Sequence, residues 1–457
     1  MTDTVYDMVI LGAGSGGYAA ALRGAQLGLR VALIEADKIG GTCLHRGCVP
    51  TKAILHSAET AEAVREAAAV GVRAAYQGLD MPAVQRYKNG VISRMYKGLQ
   101  GLVASRGIEV VGGWGRLLAR DTVEVSGRRY RGRNIVLASG SLSKTMGQEI
   151  SGPVMTSDQA LELDRVPASA VVLGGGVIGV ELASAWASMG SRVTIIEALP
   201  HLVPNEDEAI SKQLERAFRK RRIAFRTSTM FESVERTAAG VTVRTADGRT
   251  HDAEVLLIAV GRGPATANLG YEEVGVAMDR GFVLTDDYGR TNVEGVWAVG
   301  DIVPGVQLAH RGFAQGIAVA EKIAGLDPRP VDDALVPKVT FCEPEIASVG
   351  LSEARAAELH GAENVTTSEF NVAGNAKSQI LGTQGFVKLV SLKDGPIVGF
   401  HAIGARMGEQ VGEGQLIVNW EADADDVAAL VHAHPTQNET LGEAAMALAG
   451  KPLHNHG

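Results

Sequence analysis

Cys43 and Cys48, five positions apart in GGTCLHRGCVPTK (residues 40–52), are two of only three cysteines in a chain of 457 residues. A close thiol pair can sit inert in a core, hold half of a zinc site, or cycle between dithiol and disulfide. Zinc would need a second Cys/His pair at ligand spacing. Cys342 stands alone and His454 and His456 fall in the tail, so redox exchange is the reading that fits. A Gly-Gly turn precedes the pair and an Ala-rich stretch follows from Ala53, which predicts a helix start at the cysteines. A helix N-terminus, with Lys52 nearby, would lower a thiol pKa. In a regular helix, residues five apart have Cα atoms roughly 8 to 9 Å apart, beyond the about 7 Å that a disulfide spans. A Cys43–Cys48 bridge therefore demands a distorted first turn, and a strained, exposed bridge is the labile kind suited to exchange. Dithiol oxidation also needs a base near neutral pH, and HAHPTQNE (residues 432–439) offers histidines for it.

The elements that would position this chemistry are written twice. Residues 7–36 (DMVILGAGSGGYAAALRGAQLGLRVALIEA) and 169–198 (SAVVLGGGVIGVELASAWASMGSRVTIIEA) align without a gap at an offset of 162, with 13 of 30 positions identical. Gly12, Gly14 and Gly17 match Gly174, Gly176 and Gly179, and Glu35 matches Glu197. Each copy reads as strand, Gly-x-Gly-x-x-Gly turn, Ala-rich helix, and strand ending in Glu. The glycines suit a tight turn with close backbone approach to a pyrophosphate and close helix–strand packing. The helix N-terminus offers free N–H groups to the phosphates, and the glutamate can accept from a ribose hydroxyl. Two complete copies predict two dinucleotide sites. No Arg or Lys follows Glu197 in EALPHLVPNE, so the second site should prefer NAD to NADP. The later basic cluster Arg219–Arg222 reads as a solvated helix terminus.

Composition sets limits. Hydrophobic residues make up 46% and charged residues 21%, with a net charge of −8, which disfavours nucleic acid or an anionic membrane as partner. No run of eighteen apolar residues suggests a membrane span. The start MTDTVYDMVILGAG lacks a basic n-region, and three cysteines are few for a secreted scaffold; the expected location is a reducing cytoplasm.

A further segment, TNVEGVWAVGDI (residues 291–302), reads as a short exposed strand and then a buried strand ending in Gly300-Asp301. An Ala-x-Gly-Asp strand end beside an N-terminal dinucleotide unit resembles the second FAD fingerprint of the two-dinucleotide-binding flavoproteins. With Cys-x-x-x-x-Cys-x-Pro-x-Lys at 43–52, the whole chain resembles the pyridine nucleotide–disulfide oxidoreductases and, among them, the dihydrolipoamide dehydrogenases. Two departures are mild: His45-Arg46 stands where Asn-Val is common, and Ser139 where Thr is usual.

The resemblance implies an α/β fold of two Rossmann-like domains, for FAD and NAD, plus a C-terminal α+β dimerisation domain. The expected boundaries are 1–147 (FAD), 148–266 (NAD), 267–335 (a central segment completing the FAD domain) and 336–457 (dimerisation). It implies that Cys43 exchanges with substrate and that Cys48 faces the flavin as a charge-transfer thiolate. Lys52 would pair with Glu181 near the flavin. Asp301 would bind the ribityl chain and the backbone of Leu308-Ala309-His310 would lie near the ring. Thr42, Gly115 and Ser141 would join Gly12, Gly14, Gly17 and Glu35 at FAD. Gly261 would join Gly174, Gly176, Gly179, Glu181 and Glu197 at NAD. The family's His-Pro-x-x-x-Glu maps onto His434 and Glu439, with Glu439 orienting the imidazole. Glu439 can also be the N3 residue of a capping box on Thr436; His432 is set aside as the base. The expected reaction is NAD⁺-dependent oxidation of dihydrolipoamide on a lipoyl domain of a 2-oxoacid dehydrogenase or glycine cleavage complex. The expected assembly is a homodimer with shared active sites. No metal is expected. A reductase of a small disulfide such as mycothione shares these motifs, and a non-catalytic scaffold subunit is the alternative of another class.

Overall fold

A computed structural model describes residues 4–455, so His456 lies outside the described residues. The chain divides into two compact units: residues 1–54, 82–144 and 261–333, and residues 55–81, 145–260 and 334–457.

The first unit is built on a seven-stranded sheet. β1 (Val5–Leu11) is flanked by β2 (Val31–Glu35) and β6 (Arg128–Leu137), both parallel to it, and β2 by β3 (Glu109–Gly112). β4 (Gly115–Ala119) and β5 (Thr122–Val125) extend it antiparallel from the start of β6. Val296–Ala298 pairs in parallel with the end of β6, so the distant segment does enter this sheet. The short exposed strand expected before it does not form: Thr291 N–H donates to Val296 O at 3.0 Å and Val293 N–H to Thr291 Oγ1 at 3.1 Å, so that stretch uses its donors within a local turn.

β1 is covered on both faces, as parallel sheets require. Alternation sends Met8 and Ile10 into one core cluster and Val9 and Leu11 into the other. Helix α1 (Ser15–Gln26) crosses helix Ala309–Ile323 at glycines. A Cβ on Gly316 would stand 2.2 Å from Gly16 O, so no side chain fits that crossing.

In the second unit, five parallel strands run in the order Ala224–Arg226, Arg192–Ile196, Ser169–Leu173, Val255–Ile258 and Val154–Met155. Helix Val177–Met189 follows the glycine turn and helix Glu208–Lys220 precedes the edge strand. The basic cluster corrects one expectation. Arg221 is not solvated: its guanidinium donates to Ser184 Oγ at 2.7 Å, Ser188 Oγ at 2.5 Å and Glu343 O at 2.8 Å. The C-terminal part is a five-stranded antiparallel sheet in the order Lys338–Thr340, Glu345–Gly350, Ile397–Gly404, Phe386–Leu392 and Val365–Asn371. Val387 and Leu389 of this sheet join Val411 of helix Met407–Asn419 and Leu441 of helix Glu439–Leu448 in one core. Among the described residues no helix is long and apolar enough to cross a membrane.

Candidate active site

Both glycine turns have one construction, and it sorts the glycines by job. A Cβ on Gly17 would stand 1.8 Å from Gly12 O, and on Gly179 1.9 Å from Gly174 O. Gly12 and Gly174 have φ of +105° and +100° and back onto Ala138 O and Ala259 O. Those four are glycine because the chain itself leaves no room. Gly14 and Gly176 differ: a Cβ on either meets nothing within 4 Å. Each is the N-cap of its helix, with no side chain capping the first turn. Open space over an uncapped helix start is what a pyrophosphate fits, with N–H groups aimed at it.

Each turn is braced by its glutamate. Glu35 Oε2 accepts the Ala13 N–H at 2.8 Å and Oε1 the Asp37 N–H at 2.9 Å. One repeat later, Glu197 Oε2 accepts the Gly175 N–H at 2.6 Å and Oε1 the Leu199 N–H at 2.7 Å. The carboxylates thus stand at both turns beside the open faces.

The cysteine stretch folds onto the first turn. Gly40 N–H reaches Ala13 O at 2.8 Å, and Gly41, at φ +58°, lies so close that a Cβ would be 2.6 Å from Gly14 Cα. Thr42 and Cys43 lie in α2 (Gly41–Arg46) and Cys48 opens α3 (Cys48–Glu66). Instead of one helix with a bent first turn there are two helices broken at Gly47, whose φ and ψ are −138° and −110°. Neither cysteine is in a disulfide, and the two thiols are hydrogen-bonded to each other, Cys43 half-buried and Cys48 exposed.

The thiol pKa expected at a helix start is corrected for Cys43. Its pKa is well above the ordinary value: the hydrogen bond to Cys48 holds the proton, burial adds to this, and negative charge on Cys48 adds again, outweighing Lys52. In the reduced pair Cys43 therefore keeps its proton until a base removes it.

Asp301 lies in the turn Gly300–Ile302. Its Oδ2 accepts from Ser141 Oγ at 2.5 Å, and Arg262 donates to Ser141 Oγ at 2.8 Å and Ser141 O at 2.7 Å. Gln315 holds the Gly300 N–H at 2.9 Å, and Tyr271 donates to Ser139 Oγ at 3.0 Å. Ala309 begins helix Ala309–Ile323, whose N-cap Leu308 also makes no side-chain cap. Gly115 packs on Leu11 and Ile34 at the ends of β1 and β2. Arg262 and Tyr271 were not legible in the sequence, since nothing local marks a residue whose partner is more than a hundred positions away; Gln315, fifteen positions from Gly300, carries no motif that singles it out. Gly261 directly follows Val260 and opens the last segment of the first unit, its carbonyl accepting from Lys144 N–H at 3.0 Å. Lys52 is in the first unit; Glu181, in the second, accepts the Phe341 N–H at 2.8 Å.

His434 Nδ1 meets Glu439 Oε1 at 2.7 Å. The imidazole is 73% exposed, and its Nε2 has no partner among the described residues. Glu439 Oε2 accepts the Thr436 N–H at 2.7 Å, so one carboxylate holds both the imidazole and a backbone donor. Its pKa is lowered, the Thr436 N–H and His434 outweighing burial. The capping box itself does not form. Glu439 is the first helical residue, the N-cap is Asn438, and the Thr436 hydroxyl donates to Ala433 O at 2.7 Å.

His432 is engaged elsewhere. Its Nε2 meets Glu413 Oε1 at 2.7 Å, and Gly442 packs against Nδ1. Hydrogen bonding to Glu413 raises the His432 pKa against opposing burial, and the same bond lowers that of Glu413. With the histidine raised, the pair's contribution to stability is fully present below the ordinary histidine value of about 6.5 and fades as pH rises through the raised value. The lowered Glu413 sets the acid limit, where the contribution is lost as pH falls. His432→Gln should therefore lower the melting temperature most near about pH 6 and progressively less as the pH rises above the ordinary histidine value. A pH-independent difference between the two melting curves would refute the ion pair.

Among the described residues no group of three or more His, Cys, Asp or Glu could hold a metal. Residues 6–316 match the family model described as pyridine nucleotide-disulphide oxidoreductase, and residues 336–445 match the dimerisation domain of the same proteins. A dihydrolipoyl dehydrogenase of Bacillus subtilis is 37% identical, covering 99% of this chain and 99% of its own length. One from Geobacillus stearothermophilus is 36% identical, covering 98% of this chain and 97% of its own. Among solved structures, LpdA from Mycobacterium tuberculosis superposes with a TM-score of 0.90 at 27% identity, covering 96% of this chain and 99% of that one. The HOCl-induced flavoprotein disulfide reductase RclA from Escherichia coli reaches 0.86 at 27% identity, covering 96% and 99%. Braced twin turns, a thiol pair set against the first of them, and full-length likeness to disulfide-reducing flavoproteins lead to one conclusion: the chain belongs to the pyridine nucleotide-disulphide oxidoreductase family.

Proposed function

We propose that this chain is a dihydrolipoyl dehydrogenase, oxidising dihydrolipoamide to lipoamide with NAD⁺ as final acceptor. The observation that carries the reading is the thiol pair on two helices broken at Gly47 and seated on the first glycine turn. The 36–37% identity of full-length relatives bearing that name supports the substrate.

Gly12, Gly14, Gly17, Glu35, Ser141 and Asp301 would hold FAD; Gly174, Gly176, Gly179 and Glu197 would hold NAD⁺. When bound, FAD supplies a two-electron acceptor for the thiols and NAD⁺ the final hydride acceptor.

The chain's own residues do the thiol chemistry. One substrate thiolate attacks Cys43 Sγ of the oxidised pair; the Cys43–Cys48 bond breaks and Cys48 leaves as thiolate. The second substrate thiolate attacks the substrate sulfur of this mixed disulfide, closing the lipoamide ring and releasing Cys43. Two electrons pass from substrate to the cysteines. Of the two protons, one stays on Cys43, whose raised pKa holds it, and the other goes to His434 Nε2. Glu439 keeps Nδ1 protonated, so Nε2 is the lone pair that accepts. In the dimer, His434 of one subunit serves the thiols of the other. The lipoyl domain of a 2-oxoacid dehydrogenase or glycine cleavage complex is the proposed carrier of the substrate.

Steady-state rates with dihydrolipoamide, each with NAD⁺ and NADP⁺, test this alongside NAD(P)H-driven reduction of low-molecular-weight disulfides. Dihydrolipoamide with NAD⁺ should give the highest kcat/KM. A higher value with a small disulfide, or equal values with both nucleotides, would overturn the substrate or the nucleotide assignment respectively.

A further inference from the structure

Lys388 stands in the middle of strand Phe386–Leu392 and is 6% exposed. An ammonium is costly to remove from water unless opposite charge and hydrogen bonds surround it. Here they do: Nζ donates to Asp207 Oδ1 at 2.9 Å and Glu353 Oε2 at 2.6 Å. Asp207, 3% exposed, is the N-cap of helix Glu208–Lys220 and also accepts N–H groups from Ala209 at 3.1 Å and Glu353 at 3.0 Å. The contact joins the C-terminal sheet to the start of a helix in the second dinucleotide fold, 181 positions away.

Two neighbours repeat the tie. Lys338 donates to Asn205 O at 3.3 Å, and Ser348 Oγ to Glu206 Oε2 at 2.6 Å. Three successive residues, Asn205 to Asp207, are thus fastened to three strands of one sheet. The loop that ends there begins at Glu197. In between, Val203 N–H donates to Gly175 O at 2.8 Å, and Leu202 Cδ2 lies 2.5 Å from where a Cβ on Gly175 would stand. Gly175 is the residue whose own N–H Glu197 holds. A continuous mechanical path therefore runs from Lys388 through the loop 198–207 to the second glycine turn.

We propose that Lys388 is a positioning residue for the pyridine nucleotide. It touches neither substrate nor cofactor. It fixes the far end of the loop that presses on Gly175, and so sets the shape of the NAD⁺ turn. The proposal rests on the reading that the 169–198 repeat binds NAD⁺. The thiol half of the reaction, carried by residues at the first turn and by His434, should not sense it.

The test uses the full-length, FAD-loaded dimer carrying Lys388→Met or Lys388→Arg. NADH binding is titrated directly by fluorescence, KM is measured for NAD⁺ and for dihydrolipoamide, and thiol reduction by dihydrolipoamide is followed in a single turnover without nucleotide. Lys388→Met should weaken NADH binding and raise KM for NAD⁺ by about ten-fold, with the single-turnover rate within about two-fold of wild type. Lys388→Arg, which keeps the charge, should recover most of the loss. Unchanged NADH affinity in Lys388→Met would overturn the proposal. So would a parallel fall in both half-reactions, which marks a merely structural role. If Lys388→Met does not fold, Ser348→Ala with Glu206→Gln loosens the same loop; a nucleotide-only loss of about three-fold supports the path, and none overturns it. A wild-type chain that bound NADPH and not NADH would sink the nucleotide reading instead, and the same variants titrated with NADPH would still decide the role of Lys388.

Discussion

Cys43→Ser should lower dihydrolipoamide turnover by at least about 10⁴-fold, the scale at which loss of a reacting nucleophile is felt. Serine keeps the volume of the side chain but cannot form the bridge that substrate must open. Cys43 is only half-buried on a short helix, so the substitution should leave the fold and the melting temperature close to wild type. Cys48→Ser should be equally inactive, yet the two variants should differ in thiol chemistry. Removing Cys43 takes away the hydrogen-bonded neighbour of Cys48, whereas removing Cys48 takes away the principal cause of the raised Cys43 pKa. Alkylation of Cys48→Ser at Cys43 should thus set in at lower pH than alkylation of Cys43 in the reduced wild-type pair. Retained dihydrolipoamide turnover in Cys43→Ser would refute the exchange role; an unchanged alkylation profile would refute the thiol–thiol coupling.

The second large effect is a recovery. His434→Ala should cost about 10²- to 10⁴-fold in the same assay, the range for losing a general base. Mixed with Cys43→Ser and allowed to exchange subunits, two nearly inactive proteins should become active. In a two-fold dimer each contact occurs twice. A mixed dimer then has one site with both groups intact and one lacking both. Random pairing makes about half the dimers mixed, so activity should approach about a quarter of wild type. Confirmed mixed dimers with no recovered turnover would show that His434 serves its own chain.

The sequence displayed what is repeated or local. The strand–turn–helix–strand units were legible because period, glycines and acidic ends recur at a fixed offset, and the two turns fold alike down to the N–H groups that Glu35 and Glu197 hold. The His434–Glu439 contact spans five residues and was accessible to motif reasoning. What escaped depended on geometry that spacing leaves open. Nothing in CLHRGC distinguishes a bent helix from two helices parted at Gly47. The Cys43 pKa was misread because a helix start was weighed and the neighbouring thiol was not. Thr436 and Glu439 have capping-box spacing, yet the helix begins three residues beyond Thr436, at Glu439. The Asp207–Lys388 clamp and the Ser141–Arg262 contacts join positions far apart in the chain, and FVKLV looks like any buried strand with one stray charge.

The glutamate braces bear on redesign. Each glycine turn is held in shape by its own carboxylate, and a loop braced by its own chain leaves less of a nucleotide's binding free energy to be spent on organising it. The same economy constrains attempts to alter coenzyme choice. Exchanging Glu197 for a smaller or basic residue would remove a negative charge that opposes a 2′-phosphate, but would also release the Gly175 and Leu199 N–H groups together. A changed preference obtained that way would come with a looser turn and weaker binding of either nucleotide. A durable exchange must bring a new acceptor for those two donors along with the new charge.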